Sequence, residues 1–247
     1  MSEAETFLSV VVPVYNEEAR LAKTLARFHE YLAGSPFSYE ILLVLDGPTD
    51  GTREVLKKID GDISNLKVID RQFNRGKGYT VKEGMLKARG QIRLFSDADN
   101  STDIAHLNQM WPFFDQGYDL VIASRSSKDV AGARQAVRQP FYRWLFGRIG
   151  NGIVQLLVIR GIWDTHCGFK AFRREVAERI FSQTEIDRWG FDIEGLTLAR
   201  ALNYKIGIIP AEWVNDDRSH MGLVDYLRAL SDTVKVRRRL RRRSIGA

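Results

Sequence analysis

The chain is expected to form an α/β fold whose mainly parallel central sheet is covered by helices on both faces. Strand-like apolar runs alternate with helix-period segments through its first half, which is the βαβ signature of such a sheet. In sheets of this kind ligands gather beyond the carboxyl ends of the strands. Here those ends read PVYNEE, LDGPTDGT, FSDADNS and ASRS, so polar residues collect where the fold would place a site.

The elements follow in order. LSVVVPV reads as a buried strand, after which Leu21, Leu25, Phe28 and Leu32 recur at helical spacing. EILLVL is a second strand, Thr52 to Ile59 a short helix, and LKVID a third strand. Lys77 to Arg89 reads as a helix, with Val81 and Met85 one turn apart. Ile92 and Leu94 then alternate with polar residues in a strand that ends at Asp97. A helix near His106 to Asp115 leads into the strand DLVIAS. The second half is less regular. It should hold an aromatic-rich helix from Phe141 to about Val158, a loop and strand in DTHCGFKAF, a helix opening at RWGFDIE, and a strand in KIGIIPAEW. Gly222 to Arg243 reads as a long final helix with Leu223, Leu227, Leu230 and Val234 on one face. No linker, internal repeat or composition break is visible, so 1–247 is expected to be one domain, with 222–247 a basic amphipathic helix and tail.

The net charge of +6 is local. Lys235, Arg237, Arg238, Arg239, Arg241, Arg242 and Arg243 follow the last acid, Asp232, and without these seven the chain has 30 basic against 31 acidic residues. A neutral body argues against a nucleic-acid binder, which would spread its basic residues over a face. One cysteine, Cys167, excludes an internal disulfide and suits a reducing compartment. No signal-peptide pattern and no apolar run of about 18 residues is present, so the chain is not expected to span a membrane. With one Cys and four His at no ligand spacing, a metal or nucleophile role for His166 and Cys167 is not expected.

Asp97 and Asp99, one small residue apart at a strand end, carry the strongest chemical signal. Such carboxylates can converge on a hard divalent cation, Mg²⁺ or Mn²⁺, which keeps phosphate oxygens and water in its shell. They can also divide the work, one on the metal and one on a sugar hydroxyl. Asn16 could cap the helix after strand one, with Glu17 and Glu18 near its positive end. Tyr15 at a strand end is less easily explained as core. Turn chemistry accounts for Gly47, Pro48 and Gly51 around Asp46 and Asp50. NRGKG precedes a helix and could turn backbone donors and Lys77 toward an anion. Trp189, Phe191, Asp192 and Glu194 fit either an aromatic pack at a helix start or contacts to sugar or acceptor.

In order and spacing, VVPVYNEE, the aspartate turn, NRGKGYTVKEGMLKARG and the DAD triplet resemble the family 2 nucleotide-sugar glycosyltransferases of the GT-A fold. VIRGIWDTHCGFKAF followed by RWGFDIE is similar to their dolichyl-phosphate β-glucosyltransferase branch, close to the dolichyl-phosphate mannose synthases. The resemblance covers about residues 7–235. It implies that Pro13, Tyr15, Glu17 and Asp46 surround the nucleoside, that Asp97 and Asp99 hold the metal and diphosphate, and that Ala98 lies beside the ribose. It also implies phosphate-facing roles for Arg125, Arg143 and, more loosely placed, Arg218.

Several positions depart from that pattern. Leu45 replaces the first aspartate of an acidic pair and Pro48 a serine, which bears on base selectivity. Ser101 replaces the glutamine of the mannose synthases, favouring the glucosyl branch. Ser219, His220 and Met221 stand for an SKL segment, so a lysine contact becomes His220, only partly charged near neutrality. The N-terminal membrane anchor common in the eukaryotic glucosyl enzymes is not expected in this chain.

The implied activity is inverting, metal-dependent transfer of a hexose, glucose from UDP-glucose, to a polyprenyl or dolichyl phosphate. A phosphate monoester whose second pKa is about 6 is already nucleophilic and needs arginines to position it rather than a base. Two alternatives stay open: a GDP-mannose-dependent synthase or other acceptor, and a non-catalytic membrane-associated nucleotide-binding module. The basic tail and Trp144, Leu145 and Phe146 point to an anionic membrane surface as partner and to a peripheral place on its cytoplasmic face. Nothing in the sequence sets the oligomeric state.

Overall fold

The computed structural model describes residues 5–59, 61, 63–135, 152, 155, 158–213, 231–232 and 234–239. Its first half follows the expected alternation: β1 (Leu8–Val14), α1 (Leu21–Ala33), β2 (Tyr39–Asp46), α2 (Thr52–Ile59), β3 (Leu66–Arg71), α3 (Lys77–Lys87) and β4 (Ile92–Ser96). A 3₁₀ turn (Ile104–His106), α4 (Leu107–Asp115), β5 (Leu120–Ser124) and β6 (Arg134–Gln135) follow. The remaining elements are β7 (Phe169–Arg173), α5 (Arg174–Phe181), α6 (Phe191–Ala201), β8 (Ile206–Pro210) and β9 (Glu212–Trp213).

Seven strands form one sheet in the order β3-β2-β1-β4-β7-β5-β8. All run parallel except β7, which lies antiparallel between β4 and β5. Alternation along β1 sends side chains to both faces. Val10, Val12 and Val14 join the layer built on Leu21, Leu25, Phe28 and Leu32 of α1, with α2 and α4. Val11 joins the opposite layer, with Val81 and Met85 of α3 and the apolar faces of α5 and α6. Pro13 stands past the last β1–β4 pair, Val11 with Phe95, where a missing N–H is tolerated.

Some expectations need correction. α3 stops at Lys87, not Arg89, because Ala88 turns extended and Gly90 must pass close to the Ser9 backbone. Helix α5 was not anticipated; its eight residues are too short to display a clear period. KIGIIPAEW is broken at Ala211 into β8 and β9, the latter pairing with β6 apart from the main sheet. Asn16 caps no helix: it is a left-handed residue at φ 56°. Its side-chain oxygen accepts the Thr49 N–H at 2.8 Å instead, tying the end of β1 to the turn after β2.

The helix expected over Phe141 to Val158 lies mostly outside the described residues, although Gly152 and Gln155 are helical. Of the final helix, 231–232 and 234–239 are helical. Of the expected apolar stripe only Val234 is described, and it is exposed, whereas Val236 is buried. Asp232, Val236 and Arg239, at i, i+4 and i+7, turn toward the body. Leu223, Leu227 and Leu230 lie outside the described residues. Among the described residues no helix is long and apolar enough to cross a membrane.

Gly84 lets α3 lie close on the sheet, since a Cβ there would stand 2.3 Å from Val11 Cγ1 and 3.0 Å from Val44 Cγ2. Gly84→Ala gains about 1 kcal/mol of helix propensity, but overpacking of this kind costs about 1–3 kcal/mol. The overlap involves two stiff β-branched side chains, so the clash should win. Urea unfolding should report a lower midpoint with unchanged slope, and an equal or higher midpoint would show that α3 is not so constrained.

Candidate active site

The ends of β1, β2, β4 and β5 leave the sheet along one edge, and the chain order reverses between β1 and β4. That reversal is the topological switch point where open α/β sheets hold ligands. β7 runs the other way and therefore begins at this edge: Ser96 pairs with Phe169, which sets Gly168 beside Asp97. The Asp97 N–H donates to the Gly168 carbonyl at 3.0 Å. A Cβ at Gly168 would stand 2.0 Å from Asp97 Oδ2, so only glycine leaves the carboxylate its place.

Lys77, at the start of α3, brings its Nζ to 2.6 Å from Asp97 Oδ1. The contact is an ion pair made through a single ammonium group. Burial pulls the Lys77 ammonium down, and the charges of Asp97 and Asp192 outweigh it, so its pKa rises. Its cation also faces the Trp189 ring at 5.3 Å.

The DAD loop is held on both sides. Thr24 of α1 donates to the Ala98 carbonyl at 2.7 Å, and Asp99 accepts the Ser101 N–H at 2.9 Å. Burial, then the neighbouring Asp97, push the Asp99 carboxyl above its usual range. Burial likewise raises Glu17, against Arg20, with Asp99 and Asp97 adding to the rise. Glu17 therefore shares the field of the aspartate pair.

Arg125 follows β5 and is gripped by Asp164. Its Nε and Nη2 donate to that carboxylate at 2.7 Å each, and its backbone N–H at 2.8 Å. Against the opposing effect of burial, Arg125 lowers Asp164 to about 2. Asp129 fixes the Asp164 segment from below by accepting the N–H groups of Trp163 and Asp164. Deeper still, Lys170 Nζ bonds Asp192 Oδ1 at 2.5 Å and the Cys167 carbonyl at 2.6 Å. Burial pushes the Cys167 thiol up to about 11 and draws His166 down.

Asp46 is tied into the loop that follows β3. Its carboxylate accepts the Arg75 and Gly76 N–H groups at 2.7 and 2.8 Å and pairs with Arg71 at 2.7 Å. It thereby holds the NRGKG loop that presents Lys77. Leu45 is buried in the core, which is what its replacement of an acid requires. Tyr15 is exposed at the end of β1.

The structure thus gathers Asp97, Ala98, Asp99, Lys77, Arg125 and Glu17 at one edge, with Pro13, Tyr15 and Asp46 on the adjoining strand ends. Arg143, Arg218 and His220 lie outside the described residues. Sequence reasoning missed Gly168, Asp164 and Lys170. Their signal was the DTHCGFK segment, which was recognised as discriminating without its pairing partners being evident.

Hard divalent cations take one or two carboxylates and complete their shell with substrate phosphate and water. The Asp97–Asp99 pair suits that demand, since its donors are all oxygen and Asp97 Oδ1 already faces a cation at 2.6 Å. Among the described residues no group of three or more His, Cys, Asp and Glu could hold a metal unaided.

An open, mostly parallel sheet with paired carboxylates at its switch point is an arrangement that α/β enzymes use to hold ligands. The sequence model of "Glycosyl transferase family 2" matches residues 9–181, and the chain belongs to that family and is a glycosyltransferase. It is 34% identical to a dolichyl-phosphate beta-glucosyltransferase of Trichomonas vaginalis, covering 94% of this chain and 73% of that protein. The corresponding human enzyme is also 34% identical, over 87% of this chain and 69% of its own length. The fold resembles glucosyl-3-phosphoglycerate synthase from Mycobacterium tuberculosis, in a complex with Mn²⁺, UDP-glucose and phosphoglyceric acid. That likeness has a TM-score of 0.67 at 16% identity, over 94% of this chain and 79% of that one. Mannosyl-3-phosphoglycerate synthase from Rubrobacter xylanophilus gives 0.65 at 19%, over 97% and 75%. The GT-A architecture implied by the motifs is the one found.

Gly168→Ala should turn the Asp97 carboxylate out of position and cut sugar transfer by on the order of 10²-fold, as loss of preorganised charge does. Gly195→Ala, whose Cβ would meet nothing nearer than 3.8 Å, is the matched control. Steady-state rates of the two variants decide the matter, and a Gly168→Ala rate within twofold of wild type would remove Gly168 from the site.

Proposed function

We propose that the protein transfers glucose from UDP-glucose to dolichyl or another polyprenyl phosphate, with inversion and with a divalent metal. The observation that carries the reading is the Asp97–Asp99 pair at the switch point, with the Lys77 ammonium standing 2.6 Å from Asp97 Oδ1. The names of the relatives support the acceptor and sugar, and the Mn²⁺ and UDP-glucose complex of the structural neighbour supports donor and metal.

The acceptor phosphate, ionised near neutral pH, attacks the anomeric carbon from the face opposite the diphosphate. A new bond joins that carbon to a phosphate oxygen, the bond to UDP breaks with its electron pair, and the configuration inverts. Asp97 and Asp99 would hold the metal, which when bound neutralises charge developing on the leaving diphosphate. Lys77 moves from Asp97 to the diphosphate as the donor enters. Arg125, pinned by Asp164, contributes a fixed positive charge rather than a swinging arm, and such preorganised charge acts where negative charge develops. Arg143 and Arg218 complete the acceptor-phosphate site. Pro13, Tyr15 and Glu17 line the nucleoside, Ala98 the ribose, and Asp46 supports them through the NRGKG loop.

The reading treats 1–247 as one catalytic domain with 222–247 as its basic appendage, working peripherally at the cytoplasmic face of a membrane. Asp99→Ala should then abolish transfer on the order of 10²–10³-fold while leaving the fold intact. The test is a donor panel on polyprenyl phosphate with added Mg²⁺ or Mn²⁺. Turnover with UDP-glucose that Asp99→Ala removes supports the reading. Preference for GDP-mannose, or sugar-nucleotide binding without transfer, would overturn it.

The tail has its own test. Each basic residue near an anionic bilayer contributes about 1 kcal/mol, screened by salt. Deleting 240–247 removes Arg241, Arg242 and Arg243 but keeps Arg239 in place. Truncated protein should sediment less with anionic vesicles at low salt. Equal sedimentation would place the membrane contact elsewhere.

A further inference from the structure

Glu194 on α6 is 1% exposed, yet it keeps a carboxylate that nothing in the reaction uses. It accepts the Glu185 N–H at 3.0 and 3.1 Å and the Ile186 N–H at 2.9 Å, gripping the loop ahead of its own helix. Arg239 of the final helix brings Nη1 to 2.5 Å from Glu194 Oε1, and its Nη2 donates to the Gln183 carbonyl. One guanidinium therefore bridges the buried carboxylate and the first residue of the loop. Asp232 and Val236, on the same helix face, add a second contact, with Asp232 Cβ 2.8 Å from where a Cβ on Gly190 would stand.

The far side of this loop rests on the segment that presents Lys77. A Cβ on Gly76 would meet the Asp187 carbonyl at 2.4 Å, and one on Gly78 would meet the Ile186 carbonyl at 2.3 Å. The Tyr79 N–H donates to the Asp187 carbonyl at 3.1 Å, and Lys82 Nζ to the Thr184 carbonyl at 2.6 Å. Trp189, at the end of the loop, faces Lys77 Nζ, which in turn stands against Asp97. The contacts form a continuous series: Arg239, Glu194, the 183–190 loop, Gly76–Tyr79, Lys77, Asp97.

We infer that Arg239 and Glu194 are positioning residues for the donor site, and that the final helix braces the loop setting Lys77 and Trp189 against the aspartate pair. A buried carboxylate loses much by losing its cationic partner, because the charge stays behind uncompensated. The cost here falls on the loop whose amides that carboxylate holds. The basic terminal helix is then more than a surface appendage. Its Arg239 belongs to the catalytic body, whereas the neighbouring Arg238 is exposed and free to serve another purpose. This inference rests on the UDP-glucose reading for its kinetic consequence only.

The experiment compares Arg239→Ala, Arg239→Lys and Arg238→Ala, the last removing equal charge without touching Glu194. Hydrogen exchange of the amides in 183–190 and 75–80, measured without substrate, should accelerate in Arg239→Ala and stay at the wild-type rate in Arg238→Ala. Arg239→Lys keeps a cation near Glu194 but cannot span to the Gln183 carbonyl, so it should fall between them. The donor KM should rise by on the order of tenfold in Arg239→Ala, below the 10²-fold that a 1 Å misplacement can cost, with the acceptor KM unchanged. If Arg239→Ala does not fold, Glu194→Gln, which keeps the amide acceptor, carries the same exchange test. Unchanged exchange in both segments overturns the inference even if UDP-glucose is the donor. Accelerated exchange in a protein that does not use UDP-glucose supports the brace while overturning the donor reading.

Discussion

The aspartate pair works from a position set by a single reversed strand. β7 enters between β4 and β5 against the direction of its neighbours, and in doing so lays Gly168 beside Asp97. A fully parallel sheet would bring the end of a strand to this place, and with it the start of a crossover loop. The reversed strand instead begins here with a residue lacking a side chain, and the carboxylate fills the space. The backbone bond from Asp97 to Gly168 then fixes the height at which the DAD loop leaves the sheet.

Around that point the charges are balanced in pairs: Lys77 with Asp97, Lys170 with Asp192, Arg125 with Asp164. Buried ion pairs contribute little net stability, because desolvation offsets much of the attraction. Their use here is to keep strong charges in place before substrate arrives. The pairs are not equivalent. Arg125 and Asp164 share two-pronged hydrogen bonds, whereas Lys77 meets Asp97 through a single ammonium contact. The second kind of contact is the easier one to exchange for a diphosphate or a cation.

The sheet's first half was legible because each element there carries its own period, from the Leu21-Leu25-Phe28-Leu32 stripe to the alternation of Ile92 and Leu94. The strand-end residues Asp97 and Asp99 could be placed for the same reason. Contacts made across long sequence separations were not legible. Nothing local says that Gly168 faces Asp97 or that Asp164 will grip Arg125 from 39 residues away. Asn16 misled because cap residues and turn ties use the same side-chain oxygen, and only the left-handed backbone separates them. In the final helix Val236 and Arg239 pack inward while Val234 does not, and the other members of the apolar stripe, Leu223, Leu227 and Leu230, lie outside the described residues.

The placement of β7 also shapes how the chain is made. β1 to β4 can pair as they leave the ribosome, since the neighbour of each later strand has already been synthesised. β5 cannot complete the sheet when it emerges, because the strand that belongs between it and β4 comes some 50 residues later. Through that interval β4 presents an open, apolar edge, the kind of surface that nascent chains use to pair wrongly with one another. The strand that fills the gap between β4 and β5 is also the one that seats Asp97, and β8 joins the outer edge of β5 later still. The seating of Asp97 therefore arrives together with the covering of that open edge, while the brace from Arg239 follows later in synthesis.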